Sequence, residues 1–271
     1  MIDINVFIYC IIFFLGTLFG SFFSLAIYRI PIGKDITHER SFCPNCNHRL
    51  SFFDMIPLLS YIFLGGKCRY CKKKIRIRYF LLEFMSGLVF LLFAISIKLN
   101  ILSINTNQII YFIFGILYIA IVFIIAGIDK EKNKIEKKVL WTGMIFSLIY
   151  IITLYFINKD INLCFYCICI ILILITEIVD ILLYRRNLKN NYMIDILLTI
   201  LIMTIYSNVF VMILTIMLAI LSIILWKILK DISKIKKMGV KETKKENRTV
   251  PVEFFLCVSN IICLIICNMF L

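Results

Sequence analysis

Apolar residues fill this chain in long blocks separated by shorter polar ones. Eight such blocks lie at roughly 4–28, 80–97, 109–128, 139–157, 161–183, 192–206, 209–226 and 252–271. A helix needs about 20 apolar residues to cross about 30 Å of hydrocarbon. The pattern therefore predicts an all-α polytopic membrane protein with about eight transmembrane helices. The sixth and seventh blocks form one continuous run, which is divided here at Ser207-Asn208. One sizeable polar stretch, 29–79, interrupts the pattern after the first helix. It divides the chain into a first transmembrane helix (1–28), a four-cysteine domain (29–79) and a seven-helix membrane domain (80–271).

Charge placement supports that division. Of the 30 Lys and Arg, 11 lie in 29–79, 5 in 129–138, 3 in 184–191 and 9 in 227–251, leaving only Lys98 and Lys159 for the other loops. With eight spans, every basic loop falls on one side. The positive-inside rule makes that side cytoplasmic and puts both termini outside a multi-pass cytoplasmic (plasma) membrane protein. With seven spans, the basic loop 227–251 would face the wrong way. The net charge of +14 then reflects topology and attraction to an anionic lipid bilayer, not nucleic-acid binding.

Composition narrows the class further. The chain is 62% hydrophobic with mean hydropathy +0.98, more apolar surface than a soluble core absorbs. Its 4 Pro and 10 Gly exclude collagen-like and low-complexity architectures. The opening segment lacks a basic start, since Asp3 precedes any Lys, and its apolar run is too long for a cleaved signal. It reads as a retained helix stopped by Arg29.

Chemistry enters with Cys43-Pro44-Asn45-Cys46 and Cys68-Arg69-Tyr70-Cys71, separated by 21 residues. Two C-x-x-C turns offer four sulfurs to one tetrahedral ion, so Cys43, Cys46, Cys68 and Cys71 are candidate ligands of a structural zinc in a small cytoplasmic zinc-ribbon-like insertion. Two disulfides or four idle thiols are the alternatives, and a reducing cytosol disfavours the disulfides. Four thiolates leave no open coordination position for catalysis. The other seven cysteines lie in apolar spans, where Cys164-x-x-Cys167 reads as filler. His38 and His48 are solvated residues or spare ligands.

Acids within or beside spans each need a reason, because burial in a bilayer costs about 2.5–3.5 kcal/mol on insertion scales. The set is Glu83, Asp129, Glu177, Asp180, Asp195 and Glu253. Asp129 ends the third span. Asp195 opens the sixth at the same level, where a helix macrodipole would also favour it. Glu177 and Asp180 share one helix face and form a local charge network with the following Arg185 and Arg186. Two aspartates meeting at one depth would make an aspartic-protease dyad, in which one keeps its proton and the other activates water. No Ser/His/Asp set, H-E-x-x-H or P-loop offers a competing hydrolytic site.

Several stretches resemble the type IV prepilin peptidases: Gly20-Ser21-Phe22-Phe23 through Arg29-Ile30-Pro31, Arg40 to Cys46, Asp54-Met55-Ile56-Pro57-Leu58-Leu59-Ser60-Tyr61, Cys68 to Cys71, and Arg78-Tyr79-Phe80-Leu81-Leu82-Glu83. Val250-Pro251-Val252-Glu253-Phe254-Phe255 resembles a C-terminal segment of that family. The resemblance is dense over 20–90 and thin after 130. It implies a membrane aspartic endopeptidase that removes the basic leader from prepilins or pseudopilins at the cytoplasmic face, using Asp129 and Asp195, with Glu131 and Glu136 helping to receive the leader. It further implies N-methylation of the new N-terminus by S-adenosylmethionine, for which no pocket is legible. The family's Gly-x-Gly-Asp and the lysine after it have their match at Met193-Ile194-Asp195, where both glycines and the lysine are absent; Met193 and Ile194 would fill the space that glycines leave for substrate. Glu136 stands where the family often has proline. These departures keep open a degenerate, non-catalytic membrane scaffold with a zinc-binding loop. A third reading is an ion carrier using Glu177 and Asp180.

Overall fold

An apolar run in hydrocarbon has to satisfy its own backbone, and an α-helix does so within one segment. The computed structural model describes residues 4–36, 41–43, 45–99, 105–157, 162–185, 192–237 and 250–270. Among these it holds helices α1 (Ile4–Arg29), α2 (Leu59–Phe63), α3 (Ile77–Ser96), α4 (Thr106–Lys132), α5 (Lys137–Ile157), α6 (Leu163–Arg185), α7 (Tyr192–Lys237) and α8 (Val252–Phe270), with two short 3-10 turns. No strand occurs among the described residues, only isolated bridges at Phe42–Arg49 and Lys67–Lys74. Seven of the described helices are long and apolar enough to cross a membrane.

The 46-residue α7 would span about 69 Å if straight, more than twice the hydrocarbon thickness. It is broken at Asn208, whose φ of 67° and ψ of 153° leave the helical region. Contacts with α8 show that the chain reverses there. Thr199 bonds Glu253 in the first turn of α8. Val211 packs with Cys263 and Cys267 towards its far end. Trp226 then returns to meet Phe255 in the first turn edge to face, ring centroids 6.1 Å apart. In one straight helix Thr199 and Trp226 would lie about 40 Å apart. The seven helices therefore contain eight apolar limbs, divided at the Ser207-Asn208 position that the charge pattern marks. The Asn208 side chain accepts the Val209 N–H at 2.6 Å and starts the second limb.

The chain forms two compact units: Met1–Ile116 with Asn268–Leu271, and Leu117–Cys267. In the first, α1 and α3 pack through small residues, as close helix contacts without a hydrophobic driving force require. A Cβ built on Gly16 would lie 2.8 Å from Gly87 Cα, and one on Gly20 2.7 Å from Glu83 Cα. Ser86 Oγ donates to the Gly16 carbonyl at 2.7 Å. Gly20→Val forces backbone apart at this seam. An overpacking cost of about 1–3 kcal/mol is expected, readable as a lower thermal midpoint of the detergent-solubilised protein; an unchanged midpoint would refute the close contact.

In the second unit, a buried polar cluster ties α4, α7 and α8 together. Tyr118 and Asn260 hydrogen-bond through their side chains. Asn260 also donates to Thr215 Oγ1 at 3.3 Å, and Tyr118 stacks on Tyr206. Polar glue of this kind fixes helix register where the surroundings are uniformly apolar.

Candidate functional site

Two sets of chemistry-bearing residues emerge, one in each unit. In the first unit, both cysteine pairs sit in the same local turn. The Cys43 N–H donates to the His48 carbonyl, and the Asn47 N–H to the Cys43 carbonyl. The Cys68 N–H donates to the Lys73 carbonyl, and the Lys72 N–H to the Cys68 carbonyl. Asn47 and Lys72, each just after the second cysteine, both take positive φ, 55° and 58°. The two turns are thus equivalent knuckles, each closed by one of the isolated bridges.

Their four sulfurs lie within 4.8 Å of one another, with Cys43 and Cys71 3.9 Å apart. A tetrahedral zinc with bonds of about 2.3 Å places its sulfurs about 3.8 Å apart. The donor set and spacing fit that ion. Burial pushes the Cys43 thiol up, but the backbone N–H groups of Asn45 and Cys46 and the neighbouring thiols outweigh it and bring it down to about 7. His48 stacks on Tyr70, ring centroids 3.6 Å apart, and is not part of the sulfur cluster. His38 lies outside the described residues.

Asp54 braces the second knuckle. It accepts from Arg69 Nε at 2.7 Å and from the Ser51 hydroxyl at 2.7 Å, and the Tyr70 hydroxyl approaches at 3.4 Å. Burial pushes its carboxyl up, yet the Ser51 and Arg69 hydrogen bonds win and hold it below the usual carboxylate range. A group with a depressed folded value contributes stability above its unfolded pKa of about 3.9 and loses it as pH falls through the folded value. Asp54→Asn is therefore expected to make metal retention weaker at neutral pH and to flatten its dependence on pH below about 4; a metal-release curve identical to wild type would contradict the brace. The loop is further pinned by Glu83, which accepts the Leu58 N–H at 2.8 Å. Leu58 itself occupies a strained γ-turn, φ 59° and ψ −52°, closed by Leu59 N–H to the Pro57 carbonyl.

In the second unit, Asn133 at φ 49° stops α4 by returning its N–H to the Asp129 carbonyl at 2.8 Å, an αL cap. Asp129 is thereby fixed in the last turn of α4, where the macrodipole disfavours a carboxylate. Its partners offset part of that penalty. Oδ2 accepts the Phe254 N–H at 2.9 Å, and Oδ1 accepts the Tyr192 hydroxyl at 2.8 Å. The Glu253 N–H reaches Tyr192 Oη at 3.4 Å. Unpaired N–H groups in the first turn of α8 are thus met by a carboxylate from α4 and a phenol from α7. Asp129 and Glu253 are fully buried, 0% exposed. The Glu253 carboxylate accepts from Thr199 Oγ1 at 2.6 Å.

Asp195 lies in the first turn of α7 and is 6% exposed. Its Oδ1 has no hydrogen-bond partner among the described residues. It interacts electrostatically with Lys137, Asp180 and Glu177, and Glu253 interacts electrostatically with both Asp129 and Asp195. Each aspartate thus interacts with Glu253, while the direct partners of Asp129 are Tyr192 and Phe254. Asp180 bonds Lys137 of α5, a contact the arginine-based charge network did not anticipate; Arg186 lies outside the described residues. Met193 is 73% exposed and Ile194 is buried, so of the two bulky residues before Asp195 only Ile194 occupies interior space.

Tyr192, Lys137 and the role of Glu253 escape a linear reading. Glu253 carries one signal, an acid directly inside an apolar span after Pro251. The other two carry none.

Residues 14–97 match the model of the family described as the bacterial peptidase A24 N-terminal domain. A prepilin leader peptidase/N-methyltransferase of Myxococcus xanthus is 43% identical over 79 residues, 29% of this chain and 24% of that protein. One of Vibrio cholerae is 42% identical over 86 residues, 28% of this chain and 34% of that protein. One of Klebsiella pneumoniae is 29% identical over 147 residues, 51% of this chain and 60% of that protein. The chain thus spans from about a quarter to three-fifths of the length of these relatives. No solved structure matches. The family match takes in α1 from residue 14 onward, the cysteine knuckles and α3, and ends before Asp129.

Proposed function

We propose that this chain, a relative of the type IV prepilin peptidases, is a membrane aspartic endopeptidase that removes the leader of a prepilin or pseudopilin. The observation that carries this reading is the placement of Asp129: a fully buried carboxylate, held by a phenol and a helix-terminal N–H and, like Asp195, interacting with Glu253. In the proposed site the two aspartates act on one water; carboxylates sharing a site cannot both ionise cheaply, so one retains a proton. In the proposed step the ionised member takes a proton from water, whose oxygen attacks the scissile carbonyl carbon. The protonated member gives its proton to the carbonyl oxygen. On collapse of the tetrahedral intermediate the first carboxylate passes the water-derived proton to the departing amine, and the second takes the hydroxyl proton back as the new carboxyl group forms, which restores the starting protonation states. The Tyr192 hydroxyl and the Phe254 N–H keep Asp129 oriented through the cycle.

The same reading places the basic loops and the acidic site at the cytoplasmic face of the plasma membrane. Zinc on Cys43, Cys46, Cys68 and Cys71 would supply folding of the 29–79 domain, and those four side chains would hold it. N-methylation of the freed amine with S-adenosylmethionine belongs to this reading through the relatives' names; no residue here is assigned to it.

Co-expression with a prepilin tests the function. The expected result is a shorter pilin, seen as a faster band whose N-terminus begins after the leader. Full-length prepilin alone would favour a non-catalytic scaffold, the reading that the missing glycines before Asp195 support.

A further inference from the structure

Helix α3 has 20 residues, about 30 Å of helix, which is the thickness of the hydrocarbon. Its first turn therefore marks the boundary between acyl chains and headgroups. The short helix α2 is fastened to α3 near that boundary. Tyr61 packs on Phe80, ring centroids 5.2 Å apart, and the Leu58 N–H reaches Glu83. Phe80 and Glu83 lie about 5 and 9 Å along α3 from its start, so α2 sits at headgroup depth. Leu59, Ile62 and Phe63 share one face of α2 at i, i+3 and i+4. All three are exposed, Phe63 at 83%. The 3-10 turn Phe52–Met55 packs against α2 and adds Phe52 and Phe53, also largely exposed. One exposed apolar side chain needs no explanation; five on two packed elements mark a contact surface.

The segment that carries this surface is strongly basic. Residues 29–79 hold 11 Lys and Arg against three acids, Asp35, Glu39 and Asp54, so the excess stays positive even with every acid paired. Zinc on four thiolates has a net negative charge too small to reverse that sign. Asp54, directly after Phe52 and Phe53, is taken by Arg69, and this pair holds the second knuckle beside the two rings. In that knuckle Lys67 and Lys74 stand opposite each other in a bridge, both exposed, where like charges repel. Lys72, Lys73 and Arg76 are exposed as well. Aromatic and aliphatic side chains flanked by Lys and Arg suit the interface of an anionic bilayer. Lipid is already at hand, because α1 and α3 tie the segment to the bilayer at both ends.

We infer that the four-cysteine domain is seated on the membrane surface. Phe52, Phe53, Ile62 and Phe63 enter the outer part of the acyl layer, and the lysines of the second knuckle meet anionic lipid phosphates. This seating does not rest on the peptidase activity proposed above.

The test uses the full chain with Trp141→Phe and Trp226→Phe, which removes both native indoles, and with Phe53→Trp or Phe63→Trp as the probe. Each protein is reconstituted in phosphatidylcholine–phosphatidylglycerol vesicles whose acyl chains carry bromine near the headgroup or near the terminal methyl. Interfacial side chains lie about 5–10 Å into the headgroup–acyl boundary, so shallow bromine is expected to remove about half of either probe's emission. Deep bromine should remove clearly less. Vesicles of phosphatidylcholine alone should cut the shallow quenching severalfold, as should Lys67→Glu with Lys74→Glu. If that double variant loses its metal, the phosphatidylcholine vesicles alone decide the charge. Water-like emission untouched by either bromine would overturn the inference and give the face to a protein partner. Stronger quenching by deep bromine, or quenching indifferent to phosphatidylglycerol, would overturn it too.

Discussion

Asp129→Asn is expected to slow leader cleavage by about 10³–10⁴-fold, the loss that accompanies removal of a positioned acid–base group, while the protein still folds. Asparagine preserves the local geometry: its carbonyl oxygen can accept the Phe254 N–H, and its amide can donate to Tyr192 Oη, replacing the two bonds that Asp129 makes now. Asp129→Ala is the poorer experiment, because it strands a half-buried N–H and a half-buried phenol, at a cost of up to about 1–3 kcal/mol each. Tyr192→Phe removes one of the two orienting bonds and leaves the carboxylate, so an intermediate loss of about tenfold is expected in kcat. Rates are read by densitometry of prepilin and mature pilin in detergent, with size-exclusion profiles confirming the fold. Wild-type rates in Asp129→Asn would remove Asp129 from the chemistry.

The second large effect concerns the cysteines. Purified protein is expected to carry about one zinc per chain, and Cys68→Ser to lose it, since a structural site needs all four ligands. Binding energy at such sites is folding energy, about 10–16 kcal/mol apparent in isolated zinc-finger peptides. Among the described residues the knuckles are also held by the two bridges and the Asp54 brace, and the loop between them by the Glu83 bond to Leu58. Limited proteolysis should therefore cut Cys68→Ser within 29–79 and spare the wild type. Elemental analysis gives the metal content of the same samples. A metal-free wild type with a protease-resistant loop would contradict the site.

The four-cysteine cluster and the helices were legible for the same reason: their signals are local. C-x-x-C places two sulfurs on one turn whatever surrounds it, and a long apolar run has few ways to satisfy its backbone. Even the break at Asn208 could be read, through the sign of the loops on either side. The acidic site is different. Asp129 meets Tyr192 and Phe254 across 63 and 125 residues, and nothing in the local sequence announces either partner. Asp180 meets Lys137, 43 residues away, because side chains on neighbouring helices at one depth can be close in space however far apart they are in sequence. Glu253 is visible as an acid in an oily segment. Its place between two aspartates depends on how α4, α7 and α8 bring their ends together.

Which carboxylate works with Asp129 is the claim on which the mechanism turns, and Asp195→Asn examined beside Glu253→Gln tests it most directly. Purified variants are incubated with prepilin, and the product is read by intact mass. The account predicts that Asp195→Asn yields no mature pilin mass, while Glu253→Gln still cleaves, slowed about tenfold or less because Glu253 supports the site without attacking. Normal cleavage by Asp195→Asn, with Glu253→Gln inactive, would contradict it and move the second catalytic role from α7 to α8.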